Sequence, residues 1–149
     1  MPTIRTSMYV EQCNCFTVRK AARQISRLYD GYLQPTGLRI TQFLTLATLN
    51  ELKSATVNEL SERLDIERTA MGKMAAFLER DGHVQIRQSP IDRRSRIVEL
   101  TPEGVRLFET ARPLWREAQS EFTRLNGKDR VGAIRSELTG MLVGELAPE

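Results

Sequence analysis

The feature that most constrains the fold is a change in hydrophobic period at Gly82. Before that glycine, apolar residues recur every three or four positions, as in amphipathic helices. From Val84 they alternate with polar residues in two short runs, the second ending at Leu100. The polar, turn-rich segment 88–95 separates the runs. The pattern predicts a helix followed directly by a short antiparallel hairpin.

Local start and stop signals divide the remainder into helices. Gln34-Pro35-Thr36-Gly37 ends a first helix that starts near Glu11. A second, largely apolar helix starts near Thr41, and residues 53–55 form a short connection. The pattern Thr56-x-x-Glu59 predicts the capped start of a third helix. Further helices are predicted over 68–81, from Thr101-Pro102 to Asn126, and from about Val131 through Leu142 to near Ala147.

This order of elements predicts a mainly α fold with a small two- to three-stranded β-wing. The third and fourth helices and the hairpin together form a winged helix-turn-helix, and the outer helices form a helical dimerisation region. We expect an N-terminal arm and first dimerisation helix over 1–36, a DNA-binding domain over 37–104, and dimerisation helices over 105–149.

The fourth helix and the hairpin carry the groups expected to contact DNA. A helix fits the major groove and reads base edges with residues near its N-terminus. Arginines on a short ribbon can reach the minor groove or phosphate. The alternative is that these arginines lie on an ordinary solvated loop. The candidate DNA-binding residues are Arg68, Thr69, Gly72, Lys73, Arg93, Arg94 and Arg96.

Net charge alone does not identify this region. The chain of 149 residues has a formal charge of only +3. Between Val57 and Thr101, eight basic residues are balanced by eight acidic ones. DNA binding would therefore depend on where a few cations are placed.

The chain resembles the MarR family of transcriptional regulators over nearly its whole length. The most specific match is the wing pattern Asp-x-Arg followed by Leu-Thr-x-x-Gly, here from Asp92 to Gly104. The segment Phe77-Leu78-Glu79-Arg80-Asp81-Gly82 also matches. The resemblance implies a homodimer on a pseudo-palindromic double-stranded operator, usually a repressor released by a small molecule. It also implies that Asp92 braces Arg94. Gly72 departs from the Ser or Thr common in the family.

The apolar stripes on the outer helices also favour a homodimer. The first and last helices lie at opposite chain ends, yet each carries an apolar face. Without a partner these faces would leave a large exposed patch. The alternative is that they fold into one helical core within the chain.

Cys13 and Cys15 allow two interpretations. Cys15 falls on the stripe expected to be buried, and a small apolar filler is the simpler role. The resemblance offers another, because hydroperoxide-sensing members of the family use a cysteine early in the first helix. Arg19 and Lys20 would give Cys15 an electropositive setting. However, Arg19 and Phe43 stand where those sensors are expected to have tyrosines.

The more common family mechanism is release by a phenolic or aromatic acid. Such an effector would bind between the dimerisation helices and the winged module, with Arg19 as partner of the carboxylate. The predicted lining residues are Phe16, Arg19, Tyr29, Phe43 and Trp115.

Other classes of function find little support. There is no apolar run long enough to cross a bilayer and no secretory signal, so we expect no membrane partner and a cytoplasmic protein. No nucleophile with a base, phosphate loop or metal-ligand cluster appears, so we expect no enzyme, metal site or cofactor. We interpret His83 as a half-exposed junction residue, and Glu79 and Asp81 as a solvated helix end. A winged-helix adaptor that binds protein instead of DNA remains an alternative.

Overall fold

The chain folds into six α-helices and a three-stranded sheet within residues 9–141, the part that the computed structural model describes. This confirms the mainly α fold class with a small β-wing. Short 3-10 turns at Val10–Gln12 and Gln34–Thr36 flank the first helix. The elements in chain order are α1 (Asn14–Leu33), α2 (Ile40–Leu52), β1 (Ser54–Thr56), α3 (Val57–Leu64), α4 (Arg68–Arg80), β2 (Val84–Gln88), β3 (Arg96–Leu100), α5 (Pro102–Asn126) and α6 (Lys128–Gly140).

The capping and stop signals lie where the sequence predicts them. Thr56 Oγ accepts a hydrogen bond from the Glu59 N–H at 3.1 Å, and α3 starts at the next residue. Thr101 Oγ caps α5 in the same way through the Gly104 N–H, also at 3.1 Å. Gly82 follows α4 with a φ of 82°, a left-handed conformation that a glycine adopts without strain. These local interactions set where α3 and α5 begin and where α4 ends.

The sheet has the strand order β1-β3-β2, with both pairings antiparallel. Residues 54–56 form a strand because Ser54 pairs with Glu99 and Thr56 pairs with Ile97. The prediction that 53–55 is only a connection was therefore wrong. A run of three residues is too short to show the two-residue period of a strand. β1 can therefore be recognised only from its pairing with β3.

The core lies between α2, the sheet and the first turns of α5. Leu46 and Leu49 of α2 are completely buried, and Phe43 stacks on Phe108 of α5 with ring centroids 5.6 Å apart. The core cluster extends from Leu33 to Ala111, so the start of α5 packs with the winged module. This continuity gives α4 and the wing a rigid base.

The outer helices are far more exposed than their apolar stripes predict. Along α1 only Tyr29 and Leu33 are buried, whereas Val18 is 47% exposed. Cys15 is also exposed, so its predicted burial was wrong for the single chain. The core packs against the C-terminal part of α1 and leaves the N-terminal part uncovered. No residue of α6 is buried between Lys128 and Gly140.

Some predictions concern residues outside the described range. These are most of the N-terminal arm, Leu142, and the predicted helix end near Ala147. Within residues 9–141, no helix combines the length and apolarity needed to cross a membrane.

Candidate nucleic-acid interface

The helix-turn-helix is formed by α3 and α4 and a tight turn between them. Asp65 ends α3 in a left-handed conformation with a φ of 51°, which aspartate tolerates better than most residues. The Ser61 hydroxyl donates to the Ile66 carbonyl and secures the turn. Met71, Ala75 and Leu78 are buried and hold α4 on the core. The opposite face of α4 is left open to solvent.

The exposed face of α4 presents the predicted groove-contacting residues. Arg68, Thr69 and Lys73 are all exposed in its first turns. Within residues 9–141, neither Arg68 nor Lys73 takes part in an ion pair. A methyl group on Gly72 would meet no atom within 4 Å, so this face is bare at that position. Both cations are available to a polyanion.

The wing is the β2–β3 hairpin with its connecting loop 89–95. Arg93, Arg94 and Arg96 are exposed and form no ion pair with any other described residue. Arg87 differs, because it pairs across the strands with Glu99 at 2.7 Å. Three of the four wing arginines therefore keep their charge available.

Asp92 organises the turn that carries these arginines. Its Oδ1 accepts a hydrogen bond from the backbone N–H of Arg94 at 3.0 Å, and the Ser95 hydroxyl donates to its Oδ2 at 3.4 Å. The carboxylate thus contacts the backbone of Arg94, and no ion pair to the guanidinium occurs in the described part of the chain. Asp92 therefore fixes the backbone position of Arg94, and the Arg94 side chain remains exposed to solvent.

A junction that the sequence does not reveal connects α4 to the wing. The Glu79 carboxylate of α4 accepts a hydrogen bond from the Ile86 N–H of β2 at 2.7 Å. Glu79 is exposed near the end of α4, as predicted, and this hydrogen bond is an additional role that the sequence did not indicate. Thr101 adds two bonds, from its N–H to the His83 carbonyl at 3.1 Å and from its hydroxyl to the Gly82 carbonyl at 2.6 Å. These contacts hold the two candidate DNA-contacting elements together.

His83 lies inside this junction and is half-buried, as predicted. Its Nδ1 is buried and finds no hydrogen-bond partner among residues 9–141. Its carbonyl accepts the Thr101 N–H, so we assign His83 a structural position at the junction.

The five predicted effector residues are not brought together in the single chain. Phe43 and Trp115 stack with centroids 5.9 Å apart and belong to the core. Tyr29 lines one cavity, and Phe16 and Arg19 line a separate groove along α1. The sequence shows which residues are aromatic or charged. It could not show that these five side chains contact different neighbours.

The cavity at Tyr29 has a volume of about 350 Å³ and lies between α1, α5 and α6. The Tyr29 hydroxyl donates to Gln119 Oε1. Burial raises the pKa of the Tyr29 phenol above its ordinary value, and the nearby Arg135 guanidinium offsets part of this rise. The walls combine apolar side chains with three hydroxyls and two cationic groups. The cavity is lined by Ile25, Tyr29, Gln119, Phe122, Thr123, Lys128, Val131, Gly132, Ile134, Arg135, Leu138 and Thr139.

Both cysteines line the groove along α1, which has a volume of about 650 Å³. Cys13 and Cys15 are free thiols, with Cys13 half-buried and Cys15 exposed. The same groove is lined by Arg19, Lys20, Arg23 and Arg27. Of these four, Arg19 is the cation one helical turn from Cys15. Within residues 9–141, no group of three or more His, Cys, Asp or Glu side chains is placed to hold a metal ion.

Known proteins share this fold and part of this sequence. A sequence profile described as the MarR family matches residues 38–95. The chain is 28% identical over 104 residues to the organic hydroperoxide resistance transcriptional regulator of Bacillus subtilis (strain 168), covering 70% of this chain and 71% of that protein. It is 38% identical to the M. tuberculosis transcriptional regulator MosR solved in complex with DNA, with a TM-score of 0.75 and coverage of 85% of this chain and 93% of that one. It is 25% identical to a mutant MarR from E. coli complexed with operator DNA, with a TM-score of 0.77 and coverage of 85% and 91%.

Proposed function

The chain belongs to the MarR family, and from this premise we propose that it is a sequence-specific DNA-binding transcriptional regulator that acts as a homodimeric repressor. Two proteins similar to it, MosR and the mutant MarR, were solved with DNA. The partner proposed here is a double-stranded, pseudo-palindromic operator in the cytoplasm.

The observation that carries this proposal is the placement of exposed cations on two connected elements. Arg68 and Lys73 lie on the first turns of α4, and Arg94 lies on the wing. Guanidinium and ammonium groups bind phosphates and guanine edges, and their release of counterions supplies much of the affinity for DNA. The Glu79–Ile86 hydrogen bond limits how far these two elements can move apart.

The exposed apolar surface of the outer helices supports the homodimer. Leu125, Leu138 and Met141 are 58%, 50% and 54% exposed, and Val18 of α1 is 47% exposed. A 13-residue helix that buries none of its residues, as α6 does, gains little from its own chain. In a dimer that covers these surfaces, the two copies of α4 would enter successive major grooves, roughly ten base pairs apart. Sedimentation velocity should give a dimer at micromolar concentration, and a monomer there would refute this part.

The DNA-binding part is tested by fluorescence anisotropy with a duplex from the region upstream of the protein's own coding sequence. We expect this duplex to bind far more tightly than a shuffled duplex of equal composition. The affinity should also fall steeply between 50 and 200 mM salt, by about 10³-fold or more if six phosphates are contacted. A protein-binding adaptor would give no salt-sensitive affinity for either duplex. That result would replace this proposal with the adaptor alternative.

We further propose that a small aromatic or phenolic acid releases the DNA. The Tyr29 cavity supports this ligand class, because its apolar walls suit a ring and Arg135 suits a carboxylate. Arg135, and not the predicted Arg19, is the arginine that lines this cavity. A thermal-shift screen should show that aromatic carboxylates raise the melting temperature, while the matched aromatic amides do not. The shift should vanish in Arg135→Gln. Equal shifts for acids and amides would contradict the proposed role of the cation.

A second candidate function is sensing of an organic hydroperoxide, and the exposed Cys15 thiol beside Arg19 and Lys20 favours it. The hydroperoxide would oxidise the Cys15 thiol to a sulfenic acid and would itself be reduced to the alcohol. Peroxide should then weaken operator binding of the wild type and of Cys13→Ser, but not of Cys15→Ser. If operator binding by the fully reduced wild type is unchanged after peroxide, this candidate is excluded. The same thermal-shift screen repeated with and without peroxide separates the two signals.

A further inference from the structure

The loop of the wing carries an unusually exposed apolar side chain. Ile91 is 96% exposed, whereas the next most exposed large apolar residue within 9–141, Tyr9, is 60% exposed. Single exposed apolar residues are common on protein surfaces, so exposure alone implies nothing. The position of Ile91 is what matters, because it lies between β2 and β3 beside the arginines of the wing.

The backbone at Ile91 is held in place by the loop. Ser89 is buried, and its Oγ accepts hydrogen bonds from the N–H groups of Ile91 at 3.2 Å and Asp92 at 3.3 Å. The Ser89 N–H in turn donates to the Ser95 carbonyl at 3.0 Å. The loop therefore presents the side chain at a defined place without packing it against the protein. A contact made by a preorganised group costs little ordering entropy.

The chemistry around Ile91 indicates its partner. Arg93 and Arg94 are exposed, and the Asp92 carboxylate is already engaged by the Arg94 N–H. The minor groove of DNA attracts arginine, and proteins that bind it often add an isoleucine, leucine or proline contact. An exposed apolar group beside two available guanidinium groups fits that groove.

We propose that Ile91 enters the minor groove beside Arg94 and makes an apolar contact with the sugar walls and base edges. This inference rests on the proposed DNA binding and adds a specificity-determining residue to it. The N2 amino group of guanine protrudes into the minor groove, whereas an A·T pair leaves the floor open. Ile91 should therefore favour A·T pairs at the wing position of the operator.

The dependence of affinity on salt separates an apolar contact from a charged one. Ile91→Ala removes three carbons and no charge, so we expect about tenfold weaker binding with an unchanged salt slope, if roughly half of that surface is buried in the complex. Arg94→Ala should instead lower the slope by about one charge. Ile91→Leu is the matched control, because it keeps the apolar volume and should bind within about twofold of the wild type. All three variants should melt like the wild type, since the side chains are exposed.

Base substitutions in the DNA test the groove directly. Hydroxyl-radical footprinting locates the wing position, where A·T pairs are then replaced by G·C or by inosine·C. Inosine lacks the N2 amino group, so it restores the A·T-like minor groove while keeping the major-groove edge of guanine. We expect the G·C substitution to weaken DNA binding by the wild type several-fold, and inosine·C to restore it. The affinity of Ile91→Ala should change with neither substitution.

Two results would overturn the assignment of Ile91. One is equal affinity of Ile91→Ala and the wild type, and the other is the same loss of affinity for G·C and inosine·C. If the wild type itself shows no salt-sensitive DNA affinity, the proposed function fails instead. The two failures are therefore distinguishable.

Discussion

Gly104 of α5 is the position where adding one methyl group should be most damaging. A Cβ atom built there would lie 1.9 Å from the His83 carbonyl oxygen and 2.9 Å from its carbon. Real Cβ contacts essentially never fall below 3.0 Å, so the two backbones would have to separate by about 1 Å. The same carbonyl accepts the hydrogen bond from the Thr101 N–H, and that bond would be strained or lost.

The size of the effect follows from three contributions. Overpacking a tight contact costs about 1–3 kcal/mol. Loss of the Thr101–His83 hydrogen bond adds about 1 kcal/mol. The better helix propensity of alanine offsets about 1 kcal/mol. We therefore expect Gly104→Ala to lower the free energy of unfolding by about 1–3 kcal/mol, or the melting temperature by roughly 2–12 °C.

Gly72→Ala is the matched control, because it is the same change in a helix with no atom within 4 Å of the new methyl group. It should raise the free energy of unfolding by up to about 1 kcal/mol. Both variants are measured by thermal and urea unfolding monitored by circular dichroism, at one fixed protomer concentration. A Gly104→Ala protein that melts at or above the wild-type temperature would refute the close approach of α5 to the helix–wing junction.

Three further outcomes are expected. Arg94→Ala should weaken DNA binding about tenfold on every sequence and reduce the salt slope by about one, whereas Lys73→Ala should also change sequence preference; an unchanged slope in Arg94→Ala would contradict the wing assignment. Glu79→Ala should speed amide exchange of Ile86 at least about fivefold in DNA-free protein, and Glu79→Gln, which keeps an acceptor oxygen, should restore most of the protection; equal exchange in all three proteins would exclude the bond. Because burial raises the pKa of Tyr29, the unfolded chain ionises this phenol first, and stability should fall as the pH rises above about 10. Tyr29→Phe should lessen that fall in urea unfolding between about pH 8 and 11, and identical pH profiles would contradict the pKa direction.

The Leu-Thr-x-x-Gly pattern that ends at Gly104 shows how a sequence motif and a tertiary contact are related. The sequence identified Thr101 as a helix cap, because a threonine before Pro102 is a local signal. It gave no reason for the glycine three residues later. The reason lies in the His83 carbonyl, which occupies the space that a side chain at Gly104 would need.

Local chemistry was enough to predict most of the helices and the β2–β3 hairpin. The caps at Thr56 and Thr101, the stop at Gly82 and the change of period after it depend on neighbours within a few residues, so they can be recognised in one dimension. The same holds for the exposure of Lys73 and Arg94, because cations rarely lie in a core.

The tertiary structure decided whatever depends on neighbours distant in sequence. Ser54–Thr56 is a strand only because β3 lies beside it, and Glu79 is more than a solvated carboxylate only because the Ile86 N–H points at it. Periodicity indicated an apolar stripe on α1, yet it could not say whether that face is covered by this chain. Cys15 is therefore exposed where burial was expected, and the five predicted effector residues lie in three separate places. An amphipathic pattern indicates that one face of a helix is apolar. Only the packing of the folded protein determines what covers that face.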